Sequence, residues 1–335
     1  MRREFSIIIP THNRCEMLEQ TIRKCLTQTH PDYEILVVDN GSSDRTKEMM
    51  EGWSGHPGIR YHRHEENLGI LENYRSAVYD LCSSEFAVIL SDDDHLIDDD
   101  FLSEAATVFN SNPTVSAVAG GIIYHSPPAP ERIILPPRHG RLSREEYFLS
   151  FRDMNVRPSG ISATSFRRSS LLSYKVFQQD VPCFDLYFMD ILALAGDWHL
   201  LKKPVLFYQK HENNFSSKGG NYKSWRSCIA DQSKLFLIPV EIRDYATNSS
   251  IDQSAIDHYY TTYIQRIYYG MLFQIMLMTG WKYKPVHLAY RYCCKHFQLN
   301  LPHPLISYIA MWCSRLKEKC SKCTLPIRDL AHSSG

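Results

Sequence analysis

At 335 residues, 44% apolar and 22% charged, the chain is long enough to bury a full core, and its composition excludes a disordered, collagen-like or disulfide-scaffold protein. Thirty-seven basic residues balance thirty-seven acidic ones, so there is no overall positive field of the kind that binds nucleic acid. The neutrality hides an asymmetry: from Lys282 onward nine Lys or Arg stand against Glu318 and Asp329 alone, leaving the rest of the chain acidic.

The first half alternates short apolar runs with helical patterns, the sequence form of a parallel sheet wound with helices. Residues 5–9 predict a buried strand, 16–27 a helix and 33–38 a second strand. Ser43-Asp44 caps a short helix ending at Met50, and 59–62, 71–82 and 86–90 follow as strand, helix and strand. Further on, 115–119 and 122–124 predict two strands about Gly120-Gly121, the proline-rich 126–139 a loop, and 159–166 another strand. Residues 185–195 have a helical pattern ended by Gly196, and 200–201 and 205–208 predict two short strands. From Trp225 the patterns are helical and rich in Tyr, Met and Phe.

The run Asp92-Asp93-Asp94 directly after the 86–90 strand is the strongest chemical signal. Three adjacent carboxylates repel one another, whereas Mg²⁺ or Mn²⁺ binds one or two carboxylates together with substrate phosphates. Open parallel sheets gather their ligands at the carboxyl ends of strands. Asp39, ending the second strand, is placed there to accept from a base or ribose, and Pro10-Thr11 walls the space beside it. Asp98-Asp99-Asp100 reads as a helix cap. The loop after the first strand, Pro10-Thr11-His12-Asn13-Arg14, holds no glycine fingerprint, which argues against a dinucleotide enzyme and against a P-loop nucleotidase.

Over roughly residues 4–218 these pieces resemble the family 2 glycosyltransferases, whose catalytic domain has the GT-A nucleotide-sugar-binding fold, an α/β Rossmann-like architecture with a mostly parallel central sheet flanked by helices. Five motifs carry the resemblance in order: Ile7 to Arg14, Val37 to Asp44, Asn67-Leu68-Gly69 with Asn73, Asp92 to Asp94, and Tyr208 to Ser216. The resemblance implies that Pro10, Thr11, Asn13, Asp39, Asn67, Gly69, Asp92 and Asp93 line the nucleotide-sugar pocket. It implies that Asp94 and Asp92, with His211, hold Mg²⁺ or Mn²⁺. The family's general base is an aspartate at a helix start, eleven residues before a helix-ending glycine; Asp185 fits, with Asp190 in reserve. Phe184 replaces the acidic residue many members place before the base. The expected activity is inverting transfer from a nucleotide sugar, a UDP-sugar first, to a saccharide or lipid-linked saccharide in surface polysaccharide or lipopolysaccharide synthesis. A sugar nucleotidyltransferase shares the sheet and carboxylates but opens with a glycine-rich basic loop; a catalytically silent relative is the other alternative.

The expected organisation is a catalytic domain over 1–220, its nucleotide half at 1–95 and its acceptor half at 96–220, followed by a helical, basic and aromatic region over 221–335. No run reaches the roughly 18–20 apolar residues that span a bilayer, and the apolar stretch before Pro10 is too short for a signal peptide, so the expected location is cytoplasmic. Trp281, Tyr283, Tyr290, Tyr292, Phe297, Tyr308 and Trp312 interleave with the basic tail, a pairing suited to peripheral contact with an anionic membrane face. Ten cysteines are scattered as in reduced thiols; the late group about Cys320-x-x-Cys323 lacks a second spaced pair and is a weak zinc signal.

Overall fold

The computed structural model describes residues 3–136, 138–150, 160–174, 176–178, 181, 184–211, 214, 224–280, 282–296 and 301. The chain opens with β1 (Phe5–Thr11), α1 (Cys15–Cys25), β2 (Tyr33–Asp39), α2 (Thr46–Glu51), β3 (Ile59–Arg63) and α3 (Ile70–Arg75), the last running into a wider turn over Ser76–Leu81. Then come β4 (Phe86–Ile89), β5 (His95–Leu96), α4 (Phe101–Ser111), β6 (Val115–Ser126), β7 (Ala129–Ile134), β8 (Gly140–Leu142) and α5 (Arg144–Leu149). A short turn of helix leads into β9 (Thr164–Arg167), followed by α6 (Ser169–Leu172), α7 (Phe184–Ala195) and β10 (Asp197–Gln209). Four further helices are α8 (Trp225–Gln232), α9 (Leu237–Ala246), α10 (Gln253–Met278) and α11 (Tyr283–His296).

The strands form one sheet in the order β3-β2-β1-β4-β9-β6-β10-β5, with β7 added to β6 and β8 to β10. β3, β2, β1 and β4 are all parallel, because each is joined to the next through a helix. From β9 onward the sheet is mixed: β9 runs antiparallel to β4 and β6, while β10 runs parallel to β6. Ile7, Ile9, Ile35, Val37, Val88 and Leu90 are almost completely buried with Leu18, Ile22, Phe101 and Phe109 of α1 and α4. Their near-continuous apolar runs are what a sheet covered on both faces requires.

Four expectations are corrected beyond β4. Residues 126–139 are not wholly a loop: Ala129–Ile134 pairs antiparallel with β6 and every residue of it is exposed. Pro130 is tolerated because β7 is an edge strand, where a missing donor costs no ladder bond. The two strands about Gly120-Gly121 are one, β6, and the glycines are there for closeness. A Cβ at Gly120 would sit 2.4 Å from a Val205 methyl, and one at Gly121 2.5 Å from the Ile134 carbonyl oxygen. The two strands about Lys202-Lys203-Pro204 are likewise one, β10, which absorbs that polar insertion in register shifts between Leu200 and Leu206. Asp98, Asp99 and Asp100 precede α4, but the Asp100 side chain makes no cap bond there; Lys203 and Thr29 take up Asp98 and Asp100 instead.

The chain divides into two compact units, residues 1–219 with 237–263, and residues 220–236 with 264–335. The first contains the whole sheet. The second is helical in its described residues, with Tyr268, Met271, Leu272, Ile275, Val286, Ala289 and Cys293 at its centre. No helix among the described residues is long and apolar enough to cross a membrane. Much of the basic aromatic tail, including Trp281, Phe297, Tyr308, Trp312, Cys320 and Cys323, lies outside the described residues.

Candidate active site

The loops after β1, β2 and β4 meet because their strands are adjacent and end together: Thr11 lies level with Asp39 in the parallel register, and the Asp92–Asp94 run follows β4 on the other side. All three of those aspartates are buried. The Thr11 hydroxyl donates to Asp92 Oδ2 at 2.7 Å. One Arg14 nitrogen donates to Asp92 Oδ1 and Asp93 Oδ2, each at 2.8 Å. Asp93 Oδ2 further meets His211 Nε2 at 3.0 Å and the Asn214 amide at 3.1 Å. Thr21, inside α1, donates to the carbonyls of both Asp92 and Asp94 at 3.0 Å and so fixes the backbone of the run.

Their electrostatics follow from burial. The Asp92 carboxyl is pushed up to about 6, burial outweighing the Arg14 charge and the Thr11 hydrogen bond. Burial, with Asp93 alongside, holds Asp94 well above the usual carboxylate range. One Asp94 oxygen is buried without a hydrogen-bond partner, a state that costs about 1–3 kcal/mol unless a ligand fills it. Burial works against the Arg14 cation, but Asp92 and Asp93 outweigh it and raise its pKa.

Asp39 is fully buried. It accepts from the Ser42 amide at 2.8 Å and the Tyr61 hydroxyl at 2.6 Å, and Arg63 Nε approaches it at 3.6 Å. Asn13, in the left-handed backbone region, accepts through its side-chain oxygen from the Ser43 amide at 2.7 Å and so ties the first loop to the second. Asn67 accepts from the Asn40 side chain at 3.0 Å and from the Gly69 amide at 2.9 Å, and its own amide meets His12 at 3.1 Å. Gly41 makes this possible: its φ is +69°, and a Cβ there would lie 2.6 Å from the Glu66 carbonyl carbon. Pro10, half-buried beside Val38, continues the wall.

Asp185 opens α7, in the helix's first turn. Burial raises its pKa, with Asp190 adding to the rise, while backbone amides at the helix start oppose it. Asp190 is completely buried and held by the hydroxyls of Tyr147 at 2.9 Å and Tyr259 at 2.6 Å. Its burial and its two tyrosine partners mark it as a carboxylate that braces the packing about α7, which favours Asp185 over it. Tyr74 of α3 ties the two parts of the site together. Its phenol pKa is raised by burial first, then by Asp92, Asp185, Asp93 and Asp94 in turn, and its ring packs edge-on to Phe184 at 5.0 Å.

Of the sequence-predicted residues, Thr11, Asp92, Asp93, Asp94 and His211 come together around one cluster, with Asp39, Asn13, Asn67 and Gly69 in the adjoining loop network. His211 reaches Asp93, and among the described residues no three His, Cys, Asp or Glu side chains are drawn into a ready cation cage. Sequence reasoning leaves out Tyr61, Arg63 and Tyr74. The register holds a signal for the first two, since Tyr61 and Arg63 stand level with Val37 and Asp39 and share a face at the same strand end. Glu212, Asn213, Phe215 and Ser216 of the last motif lie outside the described residues.

Residues 6–174 match the model of glycosyl transferase family 2, and the chain belongs to that family. It is 30% identical over 123 residues to the PGL/p-HBAD biosynthesis glycosyltransferase of Mycobacterium tuberculosis, covering 36% of this chain and 48% of that protein. Over 95 residues it is 33% identical to the GalNAc(5)-diNAcBac-PP-undecaprenol beta-1,3-glucosyltransferase of Campylobacter jejuni, 28% of this chain and 31% of that one. The chain thus spans about half the length, or less, of the curated relatives it matches. Among solved structures, residues 1–349 of S. aureus TarS in complex with UDP-GlcNAc superpose with a TM-score of 0.61 at 14% identity, covering 98% of this chain and 93% of that one. The mannosyltransferase PcManGT from Pyrobaculum calidifontis in complex with GDP-Man and Mn²⁺ gives 0.53 at 16% identity, over 96% and 83%. The mixed α/β fold is the GT-A fold of these glycosyltransferases.

Proposed function

We propose that the chain is an inverting, metal-dependent glycosyltransferase that moves a sugar from a nucleotide donor, a UDP-sugar, to a saccharide or lipid-linked saccharide of a cell-surface polymer. The observation that carries this reading is the cluster of Thr11, Arg14, Asp92, Asp93, Asp94 and His211, with Tyr74 within electrostatic reach of both that run and Asp185. The UDP-GlcNAc complex of TarS supports the nucleotide class, and the undecaprenol-linked substrate in the Campylobacter enzyme's name supports the acceptor class. The carboxylates fit a hard divalent cation, with a buried Asp94 oxygen that has no partner, and the His211 imidazole would add one nitrogen donor. Asp94, Asp92 and His211 would hold the ion, and its chemistry there would be to offset the charge of a departing diphosphate.

The residues do the rest. Asp39, with Tyr61 and Arg63, offers hydrogen-bonding groups to the base or ribose, and the Asn67–Gly69 loop closes that side. Arg14 holds Asp92 and Asp93 in fixed orientations. The acceptor hydroxyl oxygen bonds to the anomeric carbon as the bond from that carbon to the phosphate oxygen breaks, and the hydroxyl proton passes to the Asp185 carboxylate. A base whose pKa is lifted by burial is better matched to that task than an ordinary aspartate. The test is thermal protection by UDP, GDP, dTDP and CMP, each with and without Mn²⁺. Protection by UDP that needs the metal is expected; protection by none of the four, or protection indifferent to chelator, overturns the reading.

A further inference from the structure

We propose that the Tyr74 hydroxyl contacts the sugar being transferred and takes part in selecting it. The proposal rests on the glycosyltransferase reading above and assigns a residue to the donor sugar, which that reading leaves without one. Buried phenols find hydrogen-bond partners, and the unit that contains the sheet keeps this rule elsewhere. Tyr147 and Tyr259 donate to Asp190, and Tyr187 donates to Glu241. Tyr74 departs from it: the residue is 8% exposed, and its hydroxyl has no hydrogen-bond partner among the described residues.

Backbone ties and ring packing hold that hydroxyl in place. α3 begins after the Asn67–Gly69 loop, where the Gly69 carbonyl accepts from the Asn40 side chain, and Asn73 donates from its side chain to the Val38 carbonyl, next to Asp39. These bonds seat Tyr74 beside the end of β2. Its ring packs against Phe184 at 5.0 Å and Phe177 at 5.7 Å, both buried, and Phe184 directly precedes Asp185 at the start of α7. Asp92, Asp185, Asp93 and Asp94 all act electrostatically on the hydroxyl, yet none of them accepts a hydrogen bond from it. The reaction fixes what passes there. The diphosphate belongs to the Asp92–Asp94 run and the acceptor hydroxyl to Asp185, and the transferred sugar is bonded to the first while the second attacks it. A fixed hydroxyl within range of both therefore meets the sugar. A phenol donates and accepts, as a sugar hydroxyl does, whereas a phosphate oxygen only accepts.

The test uses the full chain with Mn²⁺ and reads thermal protection in titrations of UDP, UDP-glucose, UDP-galactose, UDP-N-acetylglucosamine and UDP-N-acetylgalactosamine. At least one UDP-sugar should protect the wild type. Tyr74→Phe keeps the ring and its packing, and should weaken that UDP-sugar roughly 3–10-fold, the scale of one neutral hydrogen bond. The UDP titration should stay where it was. Without ligand the variant should melt no lower than wild type, since the hydroxyl removed has no partner to lose. An equal loss for UDP would put the hydroxyl on the diphosphate and overturn the sugar contact. Unchanged titrations with all four UDP-sugars, with or without a lowered melting temperature, would also overturn it, as would a wild type protected by UDP but by none of the four. A wild type protected by neither UDP nor any UDP-sugar overturns the donor reading, and the contact falls with it.

Discussion

From β3 to β4 the strands are parallel, and the residues at their ends bond to one another across neighbouring loops: Thr11 to Asp92, Arg14 to Asp92 and Asp93, Tyr61 to Asp39, Asn40 to Asn67. From β9 to β5 the sheet is mixed, and what it lends to the site comes singly, Asp185 from a helix start and His211 from just beyond a strand. The first region is a preorganised cradle in which most polar groups are paired to one another and one buried Asp94 oxygen is left without a partner. The second is open, with an exposed β7, and carries Asp185, whose pKa burial raises. A fold that must hold one donor tightly and meet a bulky acceptor gains from that division.

The sharpest way to break the comparison is in the cradle. Asp94→Ala should leave the fold intact, because it removes a carboxylate whose burial is unfavourable and one of whose oxygens has no partner, yet reduce turnover by roughly 10³-fold, the upper range for loss of one electrostatic stabiliser. Metal-dependent UDP protection should fall with it. Full turnover, or turnover unaffected by chelator, would falsify a metal role at this cluster.

On the acceptor side, one helix carries two carboxylates with opposite fates. Asp185→Asn should lower transfer roughly 10²-fold with donor protection near normal, the scale of a lost general base. Because burial lifts its pKa above 3.8, wild-type transfer should decline with falling pH at a value above the ordinary aspartate range. The stability sign is opposite to that of a salt-bridged aspartate. Folding favours the protonated form, so this group's contribution is greatest below the unfolded pKa and is lost as pH rises through the folded one. Asp185→Asn should therefore melt slightly higher than wild type at pH 7. Asp190→Asn should do the reverse, keeping the catalytic pH profile while destabilising by about 1–3 kcal/mol through the Tyr147 and Tyr259 bonds. Equal kinetic losses in the two variants would erase the distinction between them.

A smaller effect probes the join between the regions. Gly120→Ala places a methyl against Val205, where β6 and β10 run closest, and should cost about 1–3 kcal/mol as overpacking does. Donor protection should persist at temperatures below the lowered melting point. An unchanged melting temperature would mean that β10 can yield at its register shifts.

The same division separates what the sequence discloses from what it hides. In the parallel half, apolar runs are short and regular and the motif residues follow them at once, so β1 to β4 and the roles suggested for Thr11, Asp39 and Asp92–Asp94 are legible from pattern. Beyond β4 the rules conflict. Pro130 and its neighbours suppress a strand that exists because it is an edge, and Gly120-Gly121 looks like a break but is a close approach. Lys202-Lys203-Pro204 looks like a turn and is a bulge. Asp190 shows why a helical carboxylate cannot be judged from spacing alone: two tyrosines distant in sequence decide its fate. Tyr74 is hidden for the same reason, since only tertiary packing brings a helix phenol within electrostatic range of both Asp92 and Asp185.

The least effect on turnover is expected outside both regions, in α11. Val286, Ala289 and Cys293 form its buried face, while Lys284, Arg291 and Lys295 are exposed beside Leu288 and Tyr292. Cations interleaved with half-exposed apolar groups suit the boundary of an anionic membrane, where each basic residue adds about 1 kcal/mol near the surface. We propose that this helix holds the enzyme beside a lipid-linked acceptor. The triple change Lys284→Glu, Arg291→Glu and Lys295→Glu should reduce sedimentation with vesicles rich in anionic lipid and leave recovery with neutral vesicles unchanged. Wild-type recovery should fall as salt rises, because exposed charges are screened within about 8–10 Å at physiological ionic strength. UDP protection should be identical in both proteins, since no donor residue is touched. Equal recovery on the two vesicle types, indifferent to salt and to the triple change, would leave the basic face of α11 as a solvated surface and the acceptor to be met in solution.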